Sequence, residues 1–264
     1  MLLEMLHVLE NFDLRDIKHN SSEYIQVVSE VMKKATLDKE IFIGDPLYVD
    51  IPLEELLSKD YAVDISNRIK QNERTFINRV AQIESKDTTH VSVIDREGNC
   101  VTMTHSLGMP SGVITKGLGF MFNGCMAVFD PRPSRTGSIV PGKRRFSSLS
   151  PTIVTKSGNP HIVLGAPGGT QIAMGILQAI INVIDFDMTM LEAVSAPRFS
   201  STSNIIDVTN RIPYYVTHEL KKQDYQVIRS PLTFGVAAVH GIRVKNGIID
   251  GGADPGHDGV ALSI

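Results

Sequence analysis

Two short stretches of the chain carry residue types that suit acyl chemistry. The first is Asp87-Thr88-Thr89-His90. A threonine hydroxyl is a weak nucleophile unless a base lies beside it, and a newly freed α-amine, with an ordinary pKa of about 7.7–8.0, is such a base. The plainer reading is that Thr88 and Thr89 are β-formers opening a strand. The second is Gly165-Ala166-Pro167-Gly168-Gly169-Thr170, directly ahead of an apolar helical run. Adjacent glycine amides at a helix start can converge on one oxyanion. The same stretch lacks the Lys-Ser/Thr of a phosphate loop. Between the two lie Lys143-Arg144-Arg145 and Ser147-Ser148-Leu149-Ser150-Pro151. The basic run reads either as a solvated turn after Pro141-Gly142 or as the wall of an anion-tolerant site. Asp254, His257 and Asp258 read as a solvated loop rather than a metal site, and the histidines show no pair at metal-ligand spacing.

The elements that must position these residues divide at a break in composition. Residues 1–87 hold 11 Lys/Arg, 17 Asp/Glu and one glycine, Gly44; residues 88–264 hold 15 Lys/Arg, 12 Asp/Glu and 20 glycines. The first part therefore reads as charged helices and the second as buried strands joined by tight turns. Ser21 or Ser22 caps a helix carrying Tyr24, Val28, Val31 and Ala35, and Pro52 opens another with Leu53, Leu56 and Leu57. Leu2, Met5, Leu6 and Leu9 are helix-spaced with no capping residue ahead of them, which leads us to expect further chain upstream. A hairpin is expected from Val91 to His105, turning at Arg96-Glu97-Gly98-Asn99, and a second through Thr152–Val154 and His161–Leu164. Ile172–Ile184 is apolar nearly all round and belongs between layers. Helices at Met190–Ala196 and from Pro213 to Lys222 precede strands at Gln226–Arg229, Val236–Val244 and Gly247–Ile249. The sum is α+β, with antiparallel sheet and covering helices.

A net charge of −3 over 264 residues lacks the basic surplus of a nucleic-acid binder, and no run approaches the roughly 20 apolar residues of a membrane span. The two cysteines, Cys100 and Cys125, exclude a disulfide scaffold and point to reduced thiols. Without a signal-peptide pattern at Met1–Glu10 the expected compartment is the cytoplasm, or the periplasm if a signal lies upstream.

Taken together and in order, the motifs resemble the gamma-glutamyltranspeptidase family of N-terminal-nucleophile hydrolases, made as one chain that cuts itself before a threonine. Leu6-x-x-Leu9-Glu10-x-Phe12-Asp13-Leu14, Gly44-Asp45-Pro46 and Tyr61-Ala62 are similar to the end of the family's large subunit. Thr88-Thr89-His90-x-Ser92-Val93-x-Asp95-x-x-Gly98-Asn99 is similar to the start of the small one. Pro141-Gly142-Lys143-Arg144 through Ser147-Ser148-x-Ser150-Pro151-Thr152-Ile153-Val154 resembles its substrate loop. Gly165-x-Pro167-Gly168-Gly169, Ala196-Pro197-Arg198-Phe199 and Gly252-Ala253-Asp254-Pro255 complete the set.

The resemblance implies a four-layer αββα sandwich, incomplete on the large-subunit side. Residues 1–87 would be the end of the large-subunit segment and 88–264 the small one, together forming a single domain. It implies cleavage between Asp87 and Thr88, Thr88 as nucleophile, Ser106 as its supporting hydroxyl, and Gly168 and Gly169 as oxyanion amides. Ser147 and Ser148 would meet the donor's carboxylate end. No metal or cofactor is implied. The implied partners are a small amide or gamma-glutamyl-like donor and a water or amine acceptor, with the two cleaved pieces staying together as a heterodimer and no nucleic acid or membrane involved. Where the family anchors the donor's ammonium with polar side chains, this chain has Gly108, Cys125 and Val128, none of which accepts a charge-assisted hydrogen bond. That departure points to an acylase- or amidase-like branch. The competing expectation is a catalytically inactive, folded interaction subunit.

Overall fold

A computed structural model of the chain describes residues 1–77 and 87–264; residues 78–86, the last stretch of the first segment, lie outside them. The first part is helical, as its composition predicts: α1 (Leu2–Leu9), α2 (Ser22–Phe42), α3 (Leu53–Leu56) and α4 (Lys59–Lys70). Ser21 caps α2 through the amide of Tyr24 at 3.2 Å. The helix expected from Pro52 is only the four-residue α3. Ser58 then caps α4, whose Ala62, Ile65 and Ile69 are buried.

Strands dominate the second part. β1 (Thr88–Ile94) and β2 (Cys100–Ser106) form the expected hairpin, with Thr88 opposite Ser106. A short hairpin, β3 (Pro110–Ile114) with β4 (Met121–Asn123), follows, then β5 (Thr152–Lys156) and β6 (Asn159–Gly165). Next come α5 (Ile172–Ile184), α6 (Met190–Ser195), β7 (Phe199–Ser200), β8 (Ile205–Val208), α7 (Tyr214–Lys222) and β9 (Gln226–Arg229), and the chain closes on β10 (His240–Lys245) and β11 (Ile248–Ala253). The strand expected over Val236–Val244 begins only at His240. Val236 and Ala237 take left-handed backbone, at φ 63° and 58°, which no strand accommodates.

The central antiparallel sheet runs β11-β10-β6-β5. Beside it stands a smaller sheet ordered β7-β8-β9, in which β8 and β9 run parallel, a pairing the expected antiparallel sheet did not include. α5 explains its apolar girth by lying between two cores. On one side Ile172, Ile176, Ile180 and Val183 meet Ile162 and Leu164 of β6 together with Met190, Ala193 and Val194 of α6. On the other, Ala173, Met174, Leu177 and Ile181 share one core with buried residues of α1, α2, α4 and the smaller sheet. Each such buried Ile, Leu, Val or Met side chain contributes about 1.5–3 kcal/mol, so α5 holds the helical first part and the stranded second part on one scaffold.

The β1–β2 hairpin packs on the face of the central sheet away from α5. It turns its polar side inward: Thr102 Oγ1 donates to the carbonyl of Leu164 at 3.2 Å, and the His90 ring lies against Gly165, where a Cβ would overlap it. Val91, Val93, Val101 and Met103 stand exposed on the opposite side. The order helix, sheet, hairpin is three layers of the expected sandwich.

Candidate active site

Thr88 is the first residue of β1, and alternation sends its side chain inward, 8% exposed. Its Oγ1 lies 2.8 Å from Ser106 Oγ, the residue opposite it in register. Ser106 Oγ also accepts the amide N–H of Gly108 at 2.8 Å, so the serine hydroxyl is held from one side while it shares a hydrogen bond with Thr88 in which either hydroxyl can donate. Immediately upstream, the carbonyl of Asp87 accepts the N–H of Leu107 in a long 3.4 Å contact. The hydroxyl of Thr88 and the carbonyl of Asp87 are therefore both tied to the end of β2.

One step further along the inward face, His90 Nδ1 pairs with Thr104 Oγ1 and Nε2 with Ser92 Oγ, each at 2.9 Å. Burial, and then the nearby charge of His240, push the imidazole down to about 4. It is neutral at pH 7, serving as donor and acceptor in a row of hydroxyls that runs on to Thr102.

Gly168 and Gly169 lie at the exit of β6, where a single 3-10 turn, Gly169–Gln171, leads into α5. Both need glycine's freedom, at φ 140° and 59°. At Gly168 space is a second constraint, because a Cβ there would lie 2.6 Å from Ala237 Cα. Ser147 and Ser148 line a cavity of about 230 Å³ with Phe146, Thr170 and Lys39, which places the serine pair beside the residue that follows Gly169. A larger cleft of about 1080 Å³ is lined by Gly168 itself, with Asp207, Thr209, Asp254 and His257 among others.

The predicted residues thus fall into two groups. Thr88, Ser106, Gly108 and Cys125 are contiguous: Cys125 Sγ bonds the carbonyl of Leu107 at 3.4 Å and occupies the space a side chain at 108 would need, 2.6 Å from its Cβ. Gly168, Gly169, Ser147 and Ser148 form the second group around α5. Thr88 is not among the described residues that line either cavity, and the two groups are joined through His90 on Gly165, three residues before Gly168. Val128 ends a 3-10 turn, Cys125–Val128, with its side chain 41% exposed.

Five positions carry more than pattern alone assigned them. His90 belonged to a strand reading, yet the inward row Thr88, His90, Ser92 opposite Thr102, Thr104, Ser106 was visible as polar alternation. Asp45 and Arg144 came from separate motifs. In the fold the Asp45 carboxylate takes Arg144 N–H at 2.7 Å and its guanidinium at 2.7 Å, contacts that hold the acid well below the usual carboxylate range. This pair ties the loop after α2 to the loop before Ser147, and one branch of the basic run is thereby a structural tie rather than a free wall. Arg198 and Asp254 are a buried ion pair, which corrects the solvated-loop reading at Asp254, whereas His257 and Asp258 are exposed as expected. Among the described residues no group of three or more His, Cys, Asp and Glu side chains could hold a metal ion, and no helix is long and apolar enough to cross a membrane.

Comparison with known proteins gives the family. The family model described as gamma-glutamyltranspeptidase matches residues 1–264. The chain is 35% identical over 237 residues to the acylase ACY 1 proenzyme of Pseudomonas sp. (strain V22), covering 89% of this chain and 42% of that protein. It is 34% identical over 215 residues to the glutathione hydrolase proenzyme of Escherichia coli (strain K12), covering 75% and 37%. Among solved structures, a gamma-glutamyltranspeptidase from Pseudomonas nitroreducens superposes with a TM-score of 0.61 at 34% identity, over 67% of this chain and 99% of that one. Cephalosporin acylase from Bacillus halodurans shares the fold with a TM-score of 0.82 at 24% identity, over 96% of this chain and 47% of that one. The chain spans less than half the length of these two curated relatives. An α+β fold shared with such enzymes, and a family model matched from end to end, lead to one conclusion: the chain belongs to the gamma-glutamyltranspeptidase family.

Proposed function

We propose that this chain carries the nucleophile of an amide hydrolase or acyl transferase that activates itself by cutting between Asp87 and Thr88. The observation that carries the reading is the 2.8 Å contact of Thr88 Oγ1 with Ser106 Oγ, at the start of a strand whose preceding carbonyl is itself hydrogen-bonded. In the first step Thr88 Oγ attacks the Asp87 carbonyl carbon. The Asp87–Thr88 C–N bond breaks, the hydroxyl proton of Thr88 passes to the departing nitrogen to make an amine, and the Asp87 acyl group sits on Thr88 Oγ as an ester. Water then cleaves that ester, leaving a carboxylate on Asp87 and a free amine on Thr88.

The same atoms then turn over substrate. The new amine takes the hydroxyl proton while Oγ attacks the donor's carbonyl, Gly168 and Gly169 donate to the oxyanion, and the leaving amine departs with a proton. One such donor is worth roughly 2.7–4 kcal/mol of barrier. Water or an acceptor amine releases the acyl group. Ser147 and Ser148 receive the far end of the donor, and the two pieces stay together through the core around α5.

The relatives are an acylase and a glutathione hydrolase by name, and the contacts around Thr88 favour the acylase side. Gly108 has no side chain, the Cys125 thiol fills the space beside it, and Val128 is apolar, so an ammonium there would meet no charged acceptor. We therefore expect uncharged acyl amides to react faster than gamma-glutamyl ones. The test begins with intact mass over time: wild type should yield pieces of 87 and 177 residues, the larger opening Thr-Thr-His, and Thr88→Ala should stay whole. Hydrolysis of acyl and gamma-glutamyl anilides then ranks the donors. A second reading, a folded subunit without catalysis that binds a partner, draws on the exposed Val91, Val93, Val101 and Met103 face, and predicts neither cleavage nor turnover.

A further inference from the structure

Resting on the proposed role of Gly168 and Gly169 as amide donors, we propose that Arg198, anchored by Asp254, is a positioning residue that sets the aim of the Gly168 turn. Arg198 is 1% exposed, and its guanidinium is spent on backbone. Nε donates to the carbonyl of Val236 at 3.2 Å, Nη2 to that of Ala237 at 3.0 Å, and Nη1 to that of Val194; Nη2 also meets Asp254 Oδ2. The other oxygen of Asp254 accepts the N–H of Gly256 at 2.7 Å, so the carboxylate is fixed as well.

The carbonyls taken by Nε and Nη2 belong to the left-handed residues Val236 and Ala237. A β-branched valine holds such a backbone only when its surroundings impose it, and here the imposing group is the guanidinium fork. The other side of the same segment touches the proposed oxyanion turn. Ala237 packs flush on Gly168, and Ala238 N–H donates to the carbonyl of Pro167 at 3.0 Å. A rigid path therefore runs from Arg198 through Val236–Ala238 to Pro167–Gly168. Apolar side chains of similar volume would often serve stability as well as a buried ion pair does. What they cannot supply is a planar set of donors fixing two successive carbonyls, and oxyanion donors must be aimed at the developing charge.

The discriminating variant is Arg198→Lys, which keeps the charge beside Asp254 but replaces the planar fork with a single ammonium. In the full chain, acting on the anilide it turns over fastest, kcat should fall about 10- to 100-fold, short of the roughly 10²–10³ for outright removal of a donor, with KM within about 2-fold. A purely structural role would instead lower the melting temperature and leave kcat of the folded fraction unchanged; that result, or a rise in KM alone, overturns the proposal. If wild type turns over no anilide, it is the functional reading that fails. The positioning proposal is then read from amide NMR: Arg198→Lys should shift Gly168 and Gly169 while leaving the turn glycines Gly98 and Gly158 in place, and unshifted Gly168 and Gly169 refute it. Should Arg198→Lys not fold, Asp254→Asn is read by the same measurements with smaller changes in the same direction.

Discussion

The two halves of the candidate site are built in opposite ways. On the Thr88 side the working atoms are side-chain hydroxyls on a two-stranded ribbon whose outer face is exposed. On the Gly168 side they are backbone amides, backed by Ala237 and continuous with α5, which is buried nearly throughout. Hydroxyls on a ribbon tolerate exchange as long as an oxygen stays in place. A backbone turn pressed against another backbone segment, as Gly168 is against Ala237, tolerates an added atom poorly, because neither chain can yield easily. Substitutions should therefore separate the halves by size of effect.

The largest effect is expected at Gly168. An alanine there meets Ala237 Cα at 2.6 Å and must take φ 140°, so overpacking of about 1–3 kcal/mol adds to backbone strain of similar size. Thermal unfolding of Gly168→Ala should show a loss of that order, and any folded remainder should hydrolyse anilides at least about 100-fold more slowly. A Gly168→Ala protein with wild-type stability and turnover would mean that the turn is looser than the packing implies, and the contrast between the halves would collapse.

The ribbon side is expected to give a smaller, graded response. Ser106→Ala removes the partner of Thr88 and leaves the Gly108 amide without its acceptor, at about 1 kcal/mol of stability. The release of the 177-residue piece, followed by intact mass, should slow about 10-fold or more. Ser106→Thr keeps the oxygen and suits a strand, so its rate should stay within about 3-fold of wild type. Equal rates for the two variants would show that the hydroxyl contact is incidental.

The same contrast explains what the sequence could reveal. Helices α2 and α5, the β1–β2 hairpin and the burial of residues 172–183 follow from local period and capping and were legible in the sequence; Ile184, expected inside, ends the helix 42% exposed. The α4 helix was missed because its apolar residues, Ala62, Ile65 and Ile69, are few among charges, and its start depends on a cap at Ser58. Val236–Val239 read as strand because it is a run of Val and Ala, yet its start is left-handed backbone whose carbonyls accept from the Arg198 guanidinium, a contact no local pattern announces. The Thr88–Ser106 contact was implied by family resemblance, and the register of the hairpin supplies its physical cause. The link between Gly108 and Cys125, 17 positions apart, is a tertiary contact that no period encodes.

His90 belongs to both regions, and its titration gives the smallest effect. It hangs on the ribbon, bonded to Ser92 and Thr104, but its ring covers Gly165 at the root of the Gly168 turn. Burial, followed by the charge of His240, lowers it from the usual 6.5 to about 4. The unfolded chain therefore binds more protons than the folded one between those values, and stability must rise with pH across that window. Its contribution is complete above about 6.5 and is lost progressively as the pH falls toward 4. His19 and His240, also lowered chiefly by burial, act in the same direction, so the signature of His90 is a difference between proteins rather than the whole slope. Melting temperatures of wild type and His90→Asn at pH 7 and pH 5 should show the variant less stable at pH 7 but losing less on acidification. If both lose equally, His90 is not held neutral between the two halves, and the ribbon rests on the central sheet without the coupling its ring would provide.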